Sequence, residues 1–205
     1  MPEISKAGSD AAVTFKIPRL VKRNTIMLAL SQALVGVGTQ MVPTLGPLLS
    51  VELLGTAALA GAGISIVGIS RLLVAYPMGK IMDIYGRRAG LVLGLVVAII
   101  GTILTGLSVI WHSFPVFILG MLIFGLGIGA AQQLRLAAAD MYPPSRRAEG
   151  LGFVLTGSLL GALGGPVVIN VAQSISPGLG LPSLATPWLI VPLVIVPTIV
   201  LIARL

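Results

Sequence analysis

The chain is 205 residues long, with 13 Lys or Arg against 6 Asp or Glu, so 9% of it is charged while 56% is apolar. An ordinary soluble domain is about 25% charged; this chain has too few charges to coat a water-soluble globule and too many apolar residues for disorder. With no cysteine, a disulfide framework, a thiolate metal site and a cysteine nucleophile are excluded too, which leaves an integral membrane protein.

In chain order, residues 1–20 read as a polar tail. The apolar run that follows is far longer than the roughly 7–15-residue core of a cleaved signal peptide. Charge-free runs then cover Asn24 to Val51, Leu53 to Ser70 and on past Arg71 to Gly79, Ala89 to Leu134, and Gly150 to Ala203. A helix that crosses a bilayer needs about 20 apolar residues. The first run is one span, and the second is one span interrupted by Arg71. The third is divided by Trp111-His112-Ser113-Phe114-Pro115, and the fourth by the Ser-, Pro- and Gly-rich stretch 174–183. Six spans are expected, near 25–49, 57–79, 89–110, 115–140, 150–172 and 185–203, in one bundle over 21–205. Apolar and polar residues do not alternate along them, so a barrel of strands is excluded. The expected fold class is all-α and polytopic.

Basic residues orient the bundle. With six spans both termini lie on one side. That side holds Lys6, Lys16, Arg19, Lys22, Arg23, Lys80, Arg87, Arg88, Arg146, Arg147 and Arg204, and the opposite side holds no Lys or Arg, only Glu52 and His112. Both termini are therefore expected in the cytoplasm, and the chain in the plasma (inner) membrane. The net charge of +7 is this topology signal beside anionic headgroups, and it calls for no nucleic acid. Tyr76, Tyr85 and Tyr142 fall near the inner interface and Trp111 and Trp188 near the outer one, as an aromatic belt would.

The loop after span 2 reads Gly79-Lys80-Ile81-Met82-Asp83-Ile84-Tyr85-Gly86-Arg87-Arg88. Gly79 would let a neighbouring helix approach, Gly86 permits the turn, and Asp83 and Arg87 can pair across it. This resembles the loop-2/3 signature of the major facilitator superfamily, with Ile84 where a basic residue is usual. Span 4 ends in Asp140-Met141-Tyr142-Pro143-Pro144-Ser145-Arg146-Arg147, an acid, a proline stop and a basic pair that also fit. Span 5 carries Gly157, Gly161 and Gly165 followed by Pro166, a small-residue stripe suited to close helix packing. The layout is similar to the N-terminal half of that family, a pair of three-span inverted repeats. The chain ends about where a loop between halves would begin.

The resemblance implies secondary transport of a small solute by alternating access. It implies that Asp83, Arg87, Arg88 and Asp140, with Gly79 and Gly86, form a gating cluster in which Asp140, at the inner end of span 4, could reach Arg87, and that spans 1 and 4 line a cavity. One half has no second body to rock against, so a homodimer or a separate C-terminal half is expected as partner. The rival reading is a non-transporting scaffold or assembly subunit, or a truncated product of the family.

Inside the spans, Arg71 and Arg135 are the cavity candidates, with Gln132, Gln40, Gln32, Gln133 and Thr39 beside them. A charge in the bilayer costs roughly 2.5–3.5 kcal/mol on insertion scales and marks function by default. No acid lies in any span except Asp140 at an end, so an anionic substrate or a second half would supply the counter-charge. The bland alternatives are that Arg71 bonds backbone carbonyls and that Arg135 snorkels to the headgroups. His112 has no second ligand nearby, so no metal is expected. No phosphate-cradling loop and no nucleophile–base constellation is present, so neither a nucleotide cofactor nor an enzyme is expected.

Overall fold

The computed structural model describes residues 18–204; the tail before Pro18, with Lys6 and Lys16, and Leu205 lie outside the described residues. The described chain folds into α1 (Arg19–Leu54), α2 (Ala62–Tyr85), α3 (Arg87–Ile110), α4 (Phe114–Ala131), α5 (Leu134–Asp140), α6 (Arg147–Leu179) and α7 (Thr186–Ala203), without a strand. Six of its helical segments are long and apolar enough to cross a membrane. The charge-free runs form helices because a chain in lipid must satisfy every backbone N–H and C=O internally.

Two helices run further than the spacing of apolar runs suggests. α1 contains Pro43 and Pro47 without breaking, and Gly55 ends it with φ 67° and an N–H donated to the Val51 carbonyl. α6 continues through Pro177 to Leu179. There Gly180, at φ 64°, donates its N–H to Pro177 O and Leu181 donates to Ser176 O. That pair of bonds satisfies carbonyls the last turn leaves unpartnered, so the helix stops at a glycine and not at the proline before it.

The fourth span is discontinuous. α4 and α5 are separated at Gln132–Gln133, where bonds to the third residue back tighten the turn: Gln133 N–H to Ala130 O at 3.1 Å and Arg135 N–H to Gln132 O at 3.4 Å. A mid-helix tightening of this kind marks a hinge or a site under strain.

The packing follows a two-fold pattern. The first span (α1) rests on the fifth (α6) and sixth (α7), the fourth (α4 with α5) on the second (α2) and third (α3), and the third meets the sixth. Exchanging spans 1, 2 and 3 with 4, 5 and 6 maps this pattern onto itself, which is the signature of a three-plus-three repeat.

Lipid tails are as apolar as leucine, so close van der Waals packing between small residues must hold the helices together. On α6, a Cβ at Gly157 would stand on the Ala29 carbonyl oxygen of α1, and one at Gly161 on the Ala33 carbonyl oxygen. One at Gly165 would meet Gln40 Cβ at 2.7 Å. Pro166, next in the motif, sits inside α6 with its ring exposed. A second seam joins α3 to α4: a Cβ on Gly101 would strike the Phe124 backbone, and one on Gly127 the Ala98 backbone.

Two aromatic residues depart from the expected belt. Trp188 is 0% exposed and stands edge-on to Phe124, ring centroids 5.6 Å apart. Tyr142 is buried, its hydroxyl accepting a hydrogen bond from Thr25 at 3.1 Å. Both side chains serve the contacts between helices, whereas Tyr76, Tyr85 and Trp111 are exposed.

Candidate functional site

At the basic end, α2 stops at Tyr85 and Gly86 takes φ 85° and ψ 154°, a region that only glycine adopts without strain. The chain turns there and α3 starts directly at Arg87. Successive residues on a helix point about 100° apart, so the two arginines diverge. Arg87 Nη2 meets Asp140 Oδ2 at the end of the fourth span at 2.6 Å, both side chains about half exposed. Arg88 Nη2 donates to the Ala203 carbonyl in the last turn of α7, among carbonyls that lack an intrahelical partner.

Asp83 forms no ion pair with a described residue. The expected pairing of Asp83 with Arg87 across the turn is therefore not made: Gly86 breaks the helix between them, and Arg87 is carried toward the fourth span. Gly79 faces open space, with no described residue near the position its Cβ would take. The close helix approach expected there is not made among the described residues.

Within the membrane-spanning region, a cavity of about 280 Å³ opens between α1 and α2. Thr39, Gln40 and Pro43 line one wall and Val67, Gly68 and Arg71 the other. Local packing sets these side chains. The stem of Gln40 lies against Gly165, and the stem of Arg71 crosses the fourth span where Gly129 leaves room. The Thr39 hydroxyl donates to Val35 O at 3.0 Å, which leaves its oxygen free to accept. Arg71 Nε is buried with no hydrogen-bond partner, and no acid lines the cavity.

Arg135 lies elsewhere. It follows the break in the fourth span and donates Nη2 to Ser158 Oγ of α6 at 3.2 Å, while its Nε is buried without a partner. Gln132 and Gln133 form the break itself. Gln32 is 2% exposed, and its Oε1 has no partner. The structure thus brings Arg71 and Gln40 into one cavity and leaves Arg135 and Gln132 at the discontinuity. Ser158 completes the second place. Its sequence signal is weak, a hydroxyl one residue past Gly157 in the small-residue stripe.

Chemically the α1–α2 cavity offers a guanidinium and an amide donor with no acid in its lining, and Arg135 adds a second guanidinium near the break. Such groups suit a solute bearing acceptor oxygens. Among the described residues no three His, Asp or Glu side chains lie close enough together to hold a metal ion.

Comparison with known proteins agrees with this architecture. The family model described as Major Facilitator Superfamily matches residues 28–204. The uncharacterized MFS-type transporter YdeG of Bacillus subtilis (strain 168) is 30% identical over 164 residues, 80% of this chain and 38% of that protein. The riboflavin transporter RfnT of Brucella anthropi is 28% identical over 148 residues, 72% of this chain and 37% of that protein. The matched stretch thus spans well under half the length of these curated relatives. The inward open xylose transporter XylE from E. coli superposes with a TM-score of 0.72 at 18% identity, over 90% of this chain and 48% of that one. The chain belongs to the Major Facilitator Superfamily.

Proposed function

We propose that this bundle serves secondary transport of a small polar or anionic solute by alternating access, working against a second six-span body. Membership of a transporter family supports movement of a solute across the membrane. The observation that carries the finer reading is Arg71, whose Nε is buried without a partner on the wall of a cavity that holds no acid. A cation kept in this state at a cost of a few kcal/mol awaits a counter-charge, which the solute or the second body supplies. Arg87 and Asp140 form the gate, a half-exposed pair worth about 0–1 kcal/mol, weak enough to open during a cycle.

The second body is a further six-span bundle, whether a copy of this one or the stretch that makes up the rest of such relatives' length. Ile69, Leu72, Leu73 and Tyr76 on α2, and Leu160, Leu163 and Val167 on α6, are broadly exposed apolar surface that it would cover. The excess of basic residues at one end supports cytoplasmic termini and an inner-membrane location.

The test is uptake into proteoliposomes of a panel of labelled organic anions, with riboflavin included because a relative transports it. Native mass spectrometry of the same sample reads the number of bundles per particle. Saturable uptake of one solute by a two-bundle particle, lowered about tenfold or more by Arg71→Ala as loss of a charged hydrogen bond would do, is expected. Uptake that survives Arg71→Ala combined with Asp83→Asn would overturn this reading and leave a scaffold role.

A further inference from the structure

Beside the break in the fourth span, two buried polar atoms of opposite kind lack partners. Gln32 of α1 is 2% exposed and its Oε1, an acceptor, receives no hydrogen bond; Arg135 Nε, a donor, is buried and makes none. The register of the helices puts the two residues at one depth. Thr25 of α1 bonds Tyr142, and 21 residues further on Gly46 faces Met121, which stands 21 residues before Tyr142. Spans 1 and 4 therefore run antiparallel in even register, with Gln32 level with Arg135. Gly157 and Gly161 of α6 rest on Ala29 and Ala33 of α1, so Ser158, which accepts the Arg135 Nη2 bond at 3.2 Å, lies in the same layer. At about 100° per residue, Gln32 projects about 60° round α1 from the Ala29 face that meets α6, toward the Gly46 face that meets α4. It points into the wedge between the fourth and fifth spans, which the Arg135 side chain crosses to reach Ser158.

We infer that this wedge binds a halide ion between Arg135 and Gln32. Charge selects the occupant. A guanidinium in a membrane bundle needs a counter-charge, and the described acids do not supply one: Asp140 pairs with Arg87 and Glu149 with Arg146, while Glu52 and Asp83 lie at the ends of α1 and α2. A second bundle does not supply it either. Arg71 opens on a cavity that such a bundle would face, whereas Gln32 and the Arg135 Nε are covered within this one. Water would satisfy the two orphan atoms but not the charge. One guanidinium balances one negative charge, so a monovalent ion fits and a sulfate does not. The donors are at hand. Arg135 offers its Nε–H, and its bond to Ser158 fixes the guanidinium plane. The two ends of the Gln32 amide are alike in shape, so a half-turn presents its N–H groups where the Oε1 now stands unpartnered. The layer lies about 8 Å along the helix from Asp140, at the basic end of the bundle. The inference stands whether or not the bundle transports a solute.

The experiment follows the thermal midpoint of the full chain in detergent at constant ionic strength, with sodium gluconate replaced stepwise by sodium chloride. Gluconate carries the same charge and is too large for the wedge. Chloride at about ten times its dissociation constant should raise the midpoint, saturably, by about 3–6 °C, and bromide should do the same. Arg135→Gln should abolish the rise. Gln32→Met keeps every charge and nearly the same volume; it should weaken the apparent chloride affinity by about tenfold, the scale of a hydrogen bond to a charged group, and it keeps the test decisive if the Arg135 variant folds poorly. Arg71→Gln should leave the rise in place, which separates this wedge from the α1–α2 cavity. Equal midpoints in chloride and gluconate overturn the site and leave the orphan atoms to water. A rise that survives Arg135→Gln, ignores Gln32→Met or vanishes with Arg71→Gln puts the anion elsewhere and overturns it too. A rise with sodium acetate but not with chloride would show a carboxylate pocket in place of a halide site, and overturns it as well.

Discussion

The molecule keeps its arginines in two different conditions. At the basic end, Arg87 meets Asp140 at 2.6 Å and Arg88 meets the Ala203 carbonyl, so each has a partner within the chain. Within the spans, Arg71 and Arg135 face no acid, and each has a buried Nε without a partner. The end is wet, where a charge is cheap and its pair worth little. The interior is dry, where a charge is costly and its missing partner costs more. The difference teaches where to look for function: the low-cost charges are paired internally, whereas Arg71 and Arg135 each keep a buried Nε without a partner among the described residues.

The largest effect should come from disturbing the α1–α6 seam that positions the partner of Arg135. Ser158, the partner of Arg135, sits beside Gly157, whose Cβ position is already taken by the Ala29 carbonyl oxygen. Gly157→Val should push α6 from α1 and cost about 3 kcal/mol or more, the upper range for overpacking. Size-exclusion recovery and the apparent thermal midpoint in detergent would read it. A variant as stable as the parent would mean that the seam is looser than this geometry.

Next comes the interior cation itself, where stability and function should part. Arg71→Leu removes a guanidinium with an unsatisfied buried Nε, so it should raise stability by roughly 1–3 kcal/mol while abolishing uptake. A drop in thermal midpoint would instead show that Arg71 serves the fold. Arg135→Leu should behave in the same direction with a smaller gain, because it also gives up the bond to Ser158. The ratio of the two midpoint shifts checks this, and a larger gain for Arg135→Leu would reverse the ranking.

Much of this contrast was legible in the residues. Six spans follow from charge-free runs because a buried charge is expensive, so long runs without one are informative. The lone arginines stood out for the same reason. Directions within a helix turn were legible only in part. That Asp140, at the inner end of the fourth span, could reach Arg87 was legible; that the adjacent Arg88 reaches the sixth span was not, since the backbone at Gly86 decides it. The break at Gln132–Gln133 was hidden too, since two glutamines in an apolar helix read equally as cavity lining or as bonds between helices. Trp188 lies near a span end, where an aromatic residue suggests the interface, but a neighbouring Phe124 buries it. The α3–α4 seam was missed although Gly94 and Gly101 stand two turns apart on α3 and both face α4; glycine is common in membrane helices, and its spacing becomes informative only when the facing backbone is known.

The smallest effect concerns the rim pair, and it sharpens the comparison most. A double-mutant cycle on Arg87→Gln and Asp140→Asn isolates the coupling between these two side chains. Because both are about half exposed, the coupling energy for stability should be about 0–1 kcal/mol and should shrink as salt is raised, since exposed pairs are screened. Transport should respond more than stability, for a gate needs only a small bias between two arrangements of the bundles. If the measured coupling exceeded about 2 kcal/mol and ignored salt, well beyond an exposed pair, the rim would be as dry as the interior. The two sets of arginines would then differ in partners alone and not in the cost of their surroundings.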